Sequence, residues 1–590
     1  VRTYALDTET DYSKDYSVAD MDVWHYTHDP RFNCYMLTIC GDDGFEYAGK
    51  PEDFDWSLLD GEDVTLVSHN RAFDKNVVER LIELGKIPAF KPGAWWCSAD
   101  CASYHGLPRA LALVCEHLFN IKPDKSVRDK MKGKDAAALS EADAKELKDY
   151  AVEDARLCLK VWQALSPTWP EDERWLSAHT GDIGVRGLPV DIEALDQGIR
   201  HLRDIQTRAE LAIPWADEAP PLSHKQLAVA CRAAGILPPA SLAKDSEECQ
   251  KWEDEYGDQF PWVGAMRDFR RSNTLVSKLE TMRARVRPDT GWSAFSLKYF
   301  GATTTGRWSG GGGWNSQNLG RGPILGVDMR SMIKAPPGKV FVVADLSQIE
   351  PRCLSVCAGN KKLLDAIRQG YGIYEAHAVG SGMWNGEKGT LKKTNPQLYA
   401  AAKAQTLALG YGASASKFML MSPALTGGEY CPDAAESERA VAEFRARNPE
   451  ITRLWKRLDN GLRQSINRDF EIELPSGRVM KYRKITSVGG ITGLTVRGGK
   501  FIRTKLYGSL AVENLCQATA RDIFASHLKL LHDEGLEIMW HVHDECILLA
   551  DEDKAEGTLA KALEIMSIPP PWMKSIPLAA EGEITKVYKK

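Results

Sequence analysis

The chain lacks any long hydrophobic run. No stretch of about 18 consecutive apolar residues occurs and the mean hydropathy is −0.34, so no membrane-crossing helix is expected. It begins VRTYALDTETDYSKDY, without the apolar segment of a signal peptide, which argues against secretion. It lacks the spacing of a zinc finger. The thirteen cysteines are scattered, and the close pairs Cys97/Cys101 and Cys353/Cys357 have no second Cys or His pair behind them. Reduced thiols in the core of a cytoplasmic protein are the expectation. No internal repeat of about 20–50 residues is present. Positive charge is not in excess: 75 Lys+Arg face 81 Asp+Glu, for a net charge of −6. Taken whole, this is not the charge of a nucleic-acid binder. What remains is ordinary globular composition, 43% hydrophobic and 26% charged. A length of 590 residues implies several domains with a core large enough to need no disulfides.

The average hides a pattern. Residues 1–180 carry 21 basic and 33 acidic side chains, a balance of −12. Residues 265–340 carry 13 and 4, and residues 441–510 carry 15 and 6, a balance of +9 in each. Two basic blocks in an acidic chain suit surfaces that meet a polyanion. Residues 3–7, 35–40 and 64–68 read as strands, and 75–84 and 141–165 as helices, the latter opened by Ser140. Alternating elements predict an α/β first domain ending near residue 165. There Ser166-Pro167-Thr168-Trp169-Pro170 breaks the helix. Residues 171–290 read as largely helical, the Gly run at 309–313 as a flexible loop, and 340–344 as a buried strand. Residues 397–411 and 434–467 read as helices, 470–510 as β-hairpins, and 536–550 as two strands around a polar centre.

Asp7 and Glu9 in DTET alternate along the first strand, so period-2 geometry places both on one face. Asn70 and Asp74 stand four apart in HNRAFD, as do Tyr150 and Asp154 in YAVED, where a helix would align them. Each pair alone is an ordinary surface pattern. Together, four carboxylates from three segments suit two divalent cations, Mg²⁺ or Mn²⁺, with the Tyr150 hydroxyl placed to orient a water. The ordered set DxE, NxxxD, YxxxD resembles the 3′–5′ exonuclease domain of proofreading DNA polymerases. The resemblance covers roughly residues 1–165. It implies an RNase H-like α/β fold with Asp7, Glu9, Asp74 and Asp154 as ligands of two metal ions and Asn70 on the substrate.

In the second half, Asp345 ends the apolar strand VFVVAD, where a carboxylate is held rigidly. His543-Asp544-Glu545 sits between EIMWHV and CILLA and reads as the turn of a hairpin. Between them, Lys403, Leu407 and Tyr411 recur every four residues on one helical face. Lys403 offers a cation to a triphosphate, and Tyr411 a flat ring to a base. In order, these segments resemble motifs A, B and C of family A DNA polymerases, supported by Thr305-Gly306-Arg307 with Gln317-Asn318-Leu319 and by VENLCQATARD. With the first domain, the resemblance spans essentially the whole chain and looks most like a compact bacteriophage replicative enzyme, with no 5′-nuclease domain expected ahead of it.

The resemblance implies a right-hand α+β polymerase. Palm is expected at 291–365 and 505–590, fingers at 366–504, thumb at 210–290, and a linker leading into the polymerase at 166–209. It implies Asp345 and Asp544 as ligands of two Mg²⁺ ions, with Glu545 and His543 beside them and Lys403 on the triphosphate. It implies Glu350 as a gate against ribose, Tyr411 near the templating position, Arg307 and Gln517 in the minor groove with Gln317 and Asn318 nearby, and His377 at the triphosphate. The pattern departs at Tyr399, where Arg is usual, at Leu407, where an aromatic ring is usual, and at Leu346 and Pro351 in motif A. These departures point to retuned nucleotide choice, and Lys392 or Lys393 stands close in sequence as a replacement cation. The expected partners are primer–template DNA and dNTPs, with single-stranded DNA-binding protein, helicase or primase around them. The expected state is a monomer in the cytoplasm, that of a bacterial host if the gene is a phage's. Competing readings are an exonuclease whose polymerase half only clamps DNA, a template-dependent RNA polymerase, and a non-catalytic DNA-binding factor.

Overall fold

The computed structural model describes residues 1–123, 133, 139–243 and 246–589. The first domain is built on a five-stranded sheet. Across it run Glu46–Gly49, Cys34–Gly41, Arg2–Thr10, Gly61–Ser68 and Pro92–Cys97. The first three pair antiparallel and the last three parallel. Parallel neighbours need a crossover, and the helix Arg71–Glu83 supplies one between Gly61–Ser68 and Pro92–Cys97, burying Val77, Val78 and Leu81 against Val64 and Leu66. The helix Glu141–Leu165 packs on Arg2–Thr10 and Cys34–Gly41. Its Ser140 caps it as the sequence predicts, the hydroxyl accepting from the Asp143 N–H at 3.1 Å. Among the described cysteines none is bonded to another, and all but Cys357 and Cys431 are buried.

In the second half, the long helices Ile192–Ala212 and Pro261–Ala284 pack along each other and close a separate small core around Trp215, Leu227, Trp252 and Val263. The boundary expected at 209/210 therefore falls inside a helix, and that at 365/366 falls inside Lys361–Arg368. A four-stranded antiparallel sheet of Ile538–Val542, Glu545–Asp551, Lys339–Leu346 and Ala580–Thr585, in that order, is covered by the helix Ala555–Met566. A second antiparallel sheet, Phe470–Glu473 through Lys500–Lys505, meanders between the intervening helices and the 26-residue helix Gly508–Asp533.

Two expectations are corrected. The helix expected over 434–467 is two helices, Ala434–Arg447 and Pro449–Gln464. Pro449 holds the preceding Asn448 out of the helical region at φ −121°, ψ 59°. The Gly run is not simply a loop: Arg307–Gly311 is a strand paired with Ser296–Ala302. Gly310 is needed there because a Cβ would fall on the Asn315 side chain.

A buried ionic network joins the parts. Arg521 on Gly508–Asp533 is ion-paired with Glu173 on the helix Glu171–Arg186, and its guanidinium lies 4.5 Å from the centre of the Phe300 ring and 4.6 Å from that of Trp308. Tyr299 donates to the same Glu173 at 2.6 Å. Asp522 pairs with Arg478 at 2.9 Å, and Arg478 also donates to the Thr305 carbonyl at 3.0 Å. Removing one partner of such a pair strands a charge and costs about 3–5 kcal/mol, whereas replacing both with apolar groups is often neutral. Asp522→Ala is therefore expected to lower the thermal midpoint sharply, and Arg478→Met/Asp522→Leu to recover most of the loss. Equal losses in both variants would refute the role given to this pair.

Candidate active sites

The second-half site is made by strand register. In the antiparallel pair Lys339–Leu346/Glu545–Asp551, Asp345 stands opposite Glu545, and on its other side it stands opposite Glu581. Side chains opposed across a ladder share a face, and like charges there repel. Asp544 occupies the turn just before Glu545, its carbonyl accepting from the Leu346 N–H at 3.2 Å. The turn is sharp: His543 has φ 56°, left-handed backbone that few non-glycine residues adopt. Gln317 braces it, donating to the His541 carbonyl at 2.6 Å and accepting from the His543 N–H at 3.3 Å. Gln317 is 4% exposed, so its observed role is to hold the turn, where the sequence placed it on the substrate. Asn318 beside it is exposed. Glu545 is also tied inward, accepting from the Tyr588 hydroxyl at 2.7 Å.

Asp544 is a strained acid. Burial, and next the charge of Asp345, push its carboxyl up to about 7. It lines one narrow cleft with Arg307, Gln317 and His543. Arg307 is ion-paired with Glu350, which stands in the first turn of the helix Ile349–Ala358. Pro351 lies in that same first turn, where its missing N–H costs little. Leu346 is buried.

Lys403 lies on the helix Pro396–Ala408, half-buried, with no ion pair among the described residues. Tyr399, Lys403 and Leu407 are all half-buried, while the alternate alanines of the helix are buried. Tyr411 follows in the short 3₁₀ turn Leu409–Tyr411. Its hydroxyl is buried without a hydrogen-bond partner among the described residues, and burial, with the charges of Glu350 and Glu513 also contributing, pushes it well up. Gln517 donates to Glu513 at 3.2 Å. Tyr399 meets Tyr374 edge-on at 5.6 Å, and the Lys392 ammonium lies 5.8 Å from the centre of the Tyr399 ring. Leu407 packs with this aromatic group. His377 is placed differently from the expectation. It is 4% exposed, hydrogen-bonded to Gln405 at 3.1 Å and packed on Phe444. Gln405 is two residues from Lys403 and so on the opposite side of the helix, which turns His377 away from any triphosphate on the Lys403 face.

In the first domain, Asp7 and Glu9 are half-buried and share one face of Arg2–Thr10. Asp74 lies deeper, 2% exposed, one carboxylate oxygen accepting from the Thr8 N–H at 3.1 Å and the Thr8 hydroxyl at 2.8 Å. Burial pushes it up to about 7 against those hydrogen bonds, helped by the charge of Glu9. On Glu141–Leu165, burial and then Asp154, hydrogen-bonded to it, push the Tyr150 phenol up, and Glu9 and Asp7 add to the effect. Tyr150 thus feels Asp154, Glu9 and Asp7, and Asp74 feels Glu9. Asn70 is exposed at the start of Arg71–Glu83, its side chain capping nothing. Among the described residues, no three His, Cys, Asp or Glu side chains come close enough together to hold a metal ion by themselves.

A right-hand enzyme with paired carboxylates at the tip of its central sheet is the class this geometry defines. The family model for DNA polymerase family A matches residues 223–590, more than half of the sequence. The chain belongs to that family and is a DNA polymerase. It is 27% identical to the DNA polymerase of Bacillus phage SP02, with 100% of each chain covered. It is 26% identical to DNA polymerase I of Aquifex aeolicus (strain VF5), over 69% of this chain and 65% of that one. Among solved structures it resembles the POL domain of Pol1 from M. smegmatis in complex with DNA primer-template and dNTP. The TM-score is 0.71 at 16% identity, with 100% of this chain and 95% of that one covered. At that identity the likeness is one of fold.

Asp544 sets a pH dependence. Its folded-state pKa is raised above the ordinary 3.8, so between about 4 and 7 the native state binds more protons than the unfolded one. Stability from this group then falls as pH rises through that window. Without divalent cations, the parent's thermal midpoint relative to that of Asp544→Asn should drop between pH 4 and 7. A flat difference would contradict the buried, repelled state of this carboxyl.

Proposed function

We propose that this DNA polymerase extends a primer 3′ end on a DNA template using dNTPs and two divalent cations, and that its first domain is a 3′–5′ proofreading exonuclease. The observation that carries the first reading is the register that sets Asp345 beside Asp544. Two oxygen donors in mutual repulsion suit Mg²⁺ or Mn²⁺, which characteristically take one or two carboxylates together with substrate phosphates. Bound there, the ions supply activation of the primer hydroxyl and neutralisation of the triphosphate and the leaving pyrophosphate. Lys403, a cation with no protein partner among the described residues, serves the triphosphate. Glu350 crowds a ribose 2′-hydroxyl beside Tyr411. Arg307 and Gln517 read acceptors common to correct pairs in the minor groove. Arg307 exchanges Glu350 for DNA when it does so.

The sheet order of the first domain, an antiparallel meander followed by two parallel strands, supports an RNase H-like exonuclease. Asp7, Glu9, Asp74 and Asp154 would hold its two cations, and Tyr150 would orient the attacking water. The thumb is built on Ile192–Ala212 and Pro261–Ala284, the fingers on the helices and meander up to Lys505, and the palm on the sheet that carries Asp345 and Asp544. The full-length likeness to a phage polymerase supports a role in phage genome replication. A polymerase half that only clamps DNA is not favoured.

Primer extension and degradation on one labelled hairpin test both readings. Asp345→Asn should cut synthesis by on the order of 10³ or more, since several kcal/mol of charge stabilisation are lost at about 1.4 kcal/mol per tenfold. Degradation should survive in that variant. Asp7→Ala should do the reverse. Synthesis at the parent rate in Asp345→Asn would overturn the site. Glu350→Ala should admit ribonucleotides, and unchanged discrimination would remove the gate.

A further inference from the structure

We infer that Tyr588 is a positioning residue of the polymerase site: it holds the carboxylate of Glu545 inward and so withholds a third acid from the cations that Asp345 and Asp544 share. The inference rests on the reading of that pair as a cation site. Three acids meet at this end of the central sheet. Asp345 stands opposite Glu545 in the ladder, and Asp544 precedes Glu545 in the turn. Residues opposed across an antiparallel pair have Cβ atoms about 4.5–5.5 Å apart, a span that a glutamate side chain can cross. Glu545 nevertheless lies deepest of the three. It is 8% exposed, whereas Asp345 and Asp544 are half-buried. Asp544 lines the narrow cleft with Arg307 and His543, and Glu545 does not reach its wall. One carboxylate oxygen, Oε1, is occupied by the Tyr588 hydroxyl, which donates to it at 2.7 Å.

Tyr588 is itself fixed from several sides. It is 2% exposed. Its N–H donates to the Ile333 carbonyl at 3.0 Å, and the Ala335 N–H donates to the Lys586 carbonyl at 2.9 Å, so residues 586–588 run antiparallel beside 333–335. The ring meets Trp540, on the strand that leads into the turn, edge-on at 5.1 Å. The Arg330 guanidinium lies 5.2 Å from the centre of the same ring and also donates to the Leu319 carbonyl at 2.9 Å. Arg330 thereby joins Tyr588 to the segment of Gln317, which braces the other side of the turn. A phenol held in this way fixes where the Glu545 carboxylate stays. Mg²⁺ and Mn²⁺ are characteristically bound by one or two carboxylates together with substrate phosphates. Two acids leave such a site incomplete until a triphosphate arrives. A third would raise the ligand charge enough for cations to load without one. Tyr588 therefore makes cation loading depend on the nucleotide.

Mn²⁺ titration followed by water-proton relaxation tests this, with no nucleotide or DNA present. The full chain is used with Asp7→Ala throughout, so that the acids of the first domain contribute little. Tyr588→Phe keeps the ring packed on Trp540 and Arg330 and removes only the hydroxyl. It should bind Mn²⁺ tighter than its parent by on the order of tenfold, because ligand charge count grades the affinity of oxygen-ligand sites. Tyr588→Phe/Glu545→Gln should return to the parent's affinity, since the freed side chain then carries no charge. An unchanged affinity in Tyr588→Phe overturns the inference, and a lowered thermal midpoint in EDTA alongside it would make Tyr588 a brace of the fold alone. Weaker binding overturns it too, because Tyr588 would then be presenting Glu545 to the cations. So does a gain that survives in the double variant. Asp345→Asn, added to Tyr588→Phe, separates this inference from the reading beneath it. Undiminished Mn²⁺ binding there would retire the Asp345–Asp544 site itself, whereas nucleotide-dependent binding in the parent with no effect of Tyr588→Phe would retire the role of Tyr588 alone.

Discussion

The antiparallel pairing of Lys339–Leu346 with Glu545–Asp551 is the constraint on which the polymerase site depends. It brings Asp345 and Asp544, far apart in sequence, to one end of one sheet, and it does so against their repulsion. Shifting the register by one residue would turn Asp345 to the other face. The surroundings are arranged to prevent that. Val340, Phe341, Val342 and Val343 are buried along one strand and Ile547 and Leu548 along the other, Gln317 clips the turn, and Tyr588 ties down Glu545. Apolar burial holds the strands in place and leaves the acids repelling each other, a cost carried by the core beneath them.

The same economy recurs at larger scale. Arg521 and Arg478 are buried and ion-paired, and they tie the helix Glu171–Arg186 and the turn at Thr305 to the helix of Gln517. Arg307 is held by Glu350. Cations with protein partners brace the frame, whereas Lys403 lacks an ion pair among the described residues. The acidic whole-chain charge says nothing about this division, and only the pairing of individual side chains reveals it.

Much of this was legible in the sequence. Period-2 alternation placed Asp7 with Glu9, the apolar run VFVVA placed Asp345 at a strand end, and four-residue spacing placed Lys403 and Leu407 on one helix, whereas Tyr411, expected on the same helical face, falls in the 3₁₀ turn beyond its end. Other features had no local signal. Ala580–Thr585 reads AEGEIT, too polar to announce a strand, and it exists because it completes the edge beside Lys339–Leu346. The Gly run reads as a loop, and its pairing with Ser296–Ala302 is set by close approach to Asn315. His377 carries the right chemistry for a phosphate, but its direction is set by Gln405 and Phe444, contacts that no spacing rule contains. Gln317 looked like a substrate contact because its role as a brace needs the turn at His543, more than 200 residues away.

The central claim is that Asp345 and Asp544 together form a cation site completed by the triphosphate. Paramagnetic relaxation of water protons during Mn²⁺ titration tests it most directly, with primer–template and an unreactive dNTP analogue present or absent. The parent should gain tight Mn²⁺ binding only when the analogue is present, and Asp544→Asn should lose that gain while the cations of the first domain remain. Undiminished, analogue-dependent Mn²⁺ binding in Asp544→Asn would contradict the account.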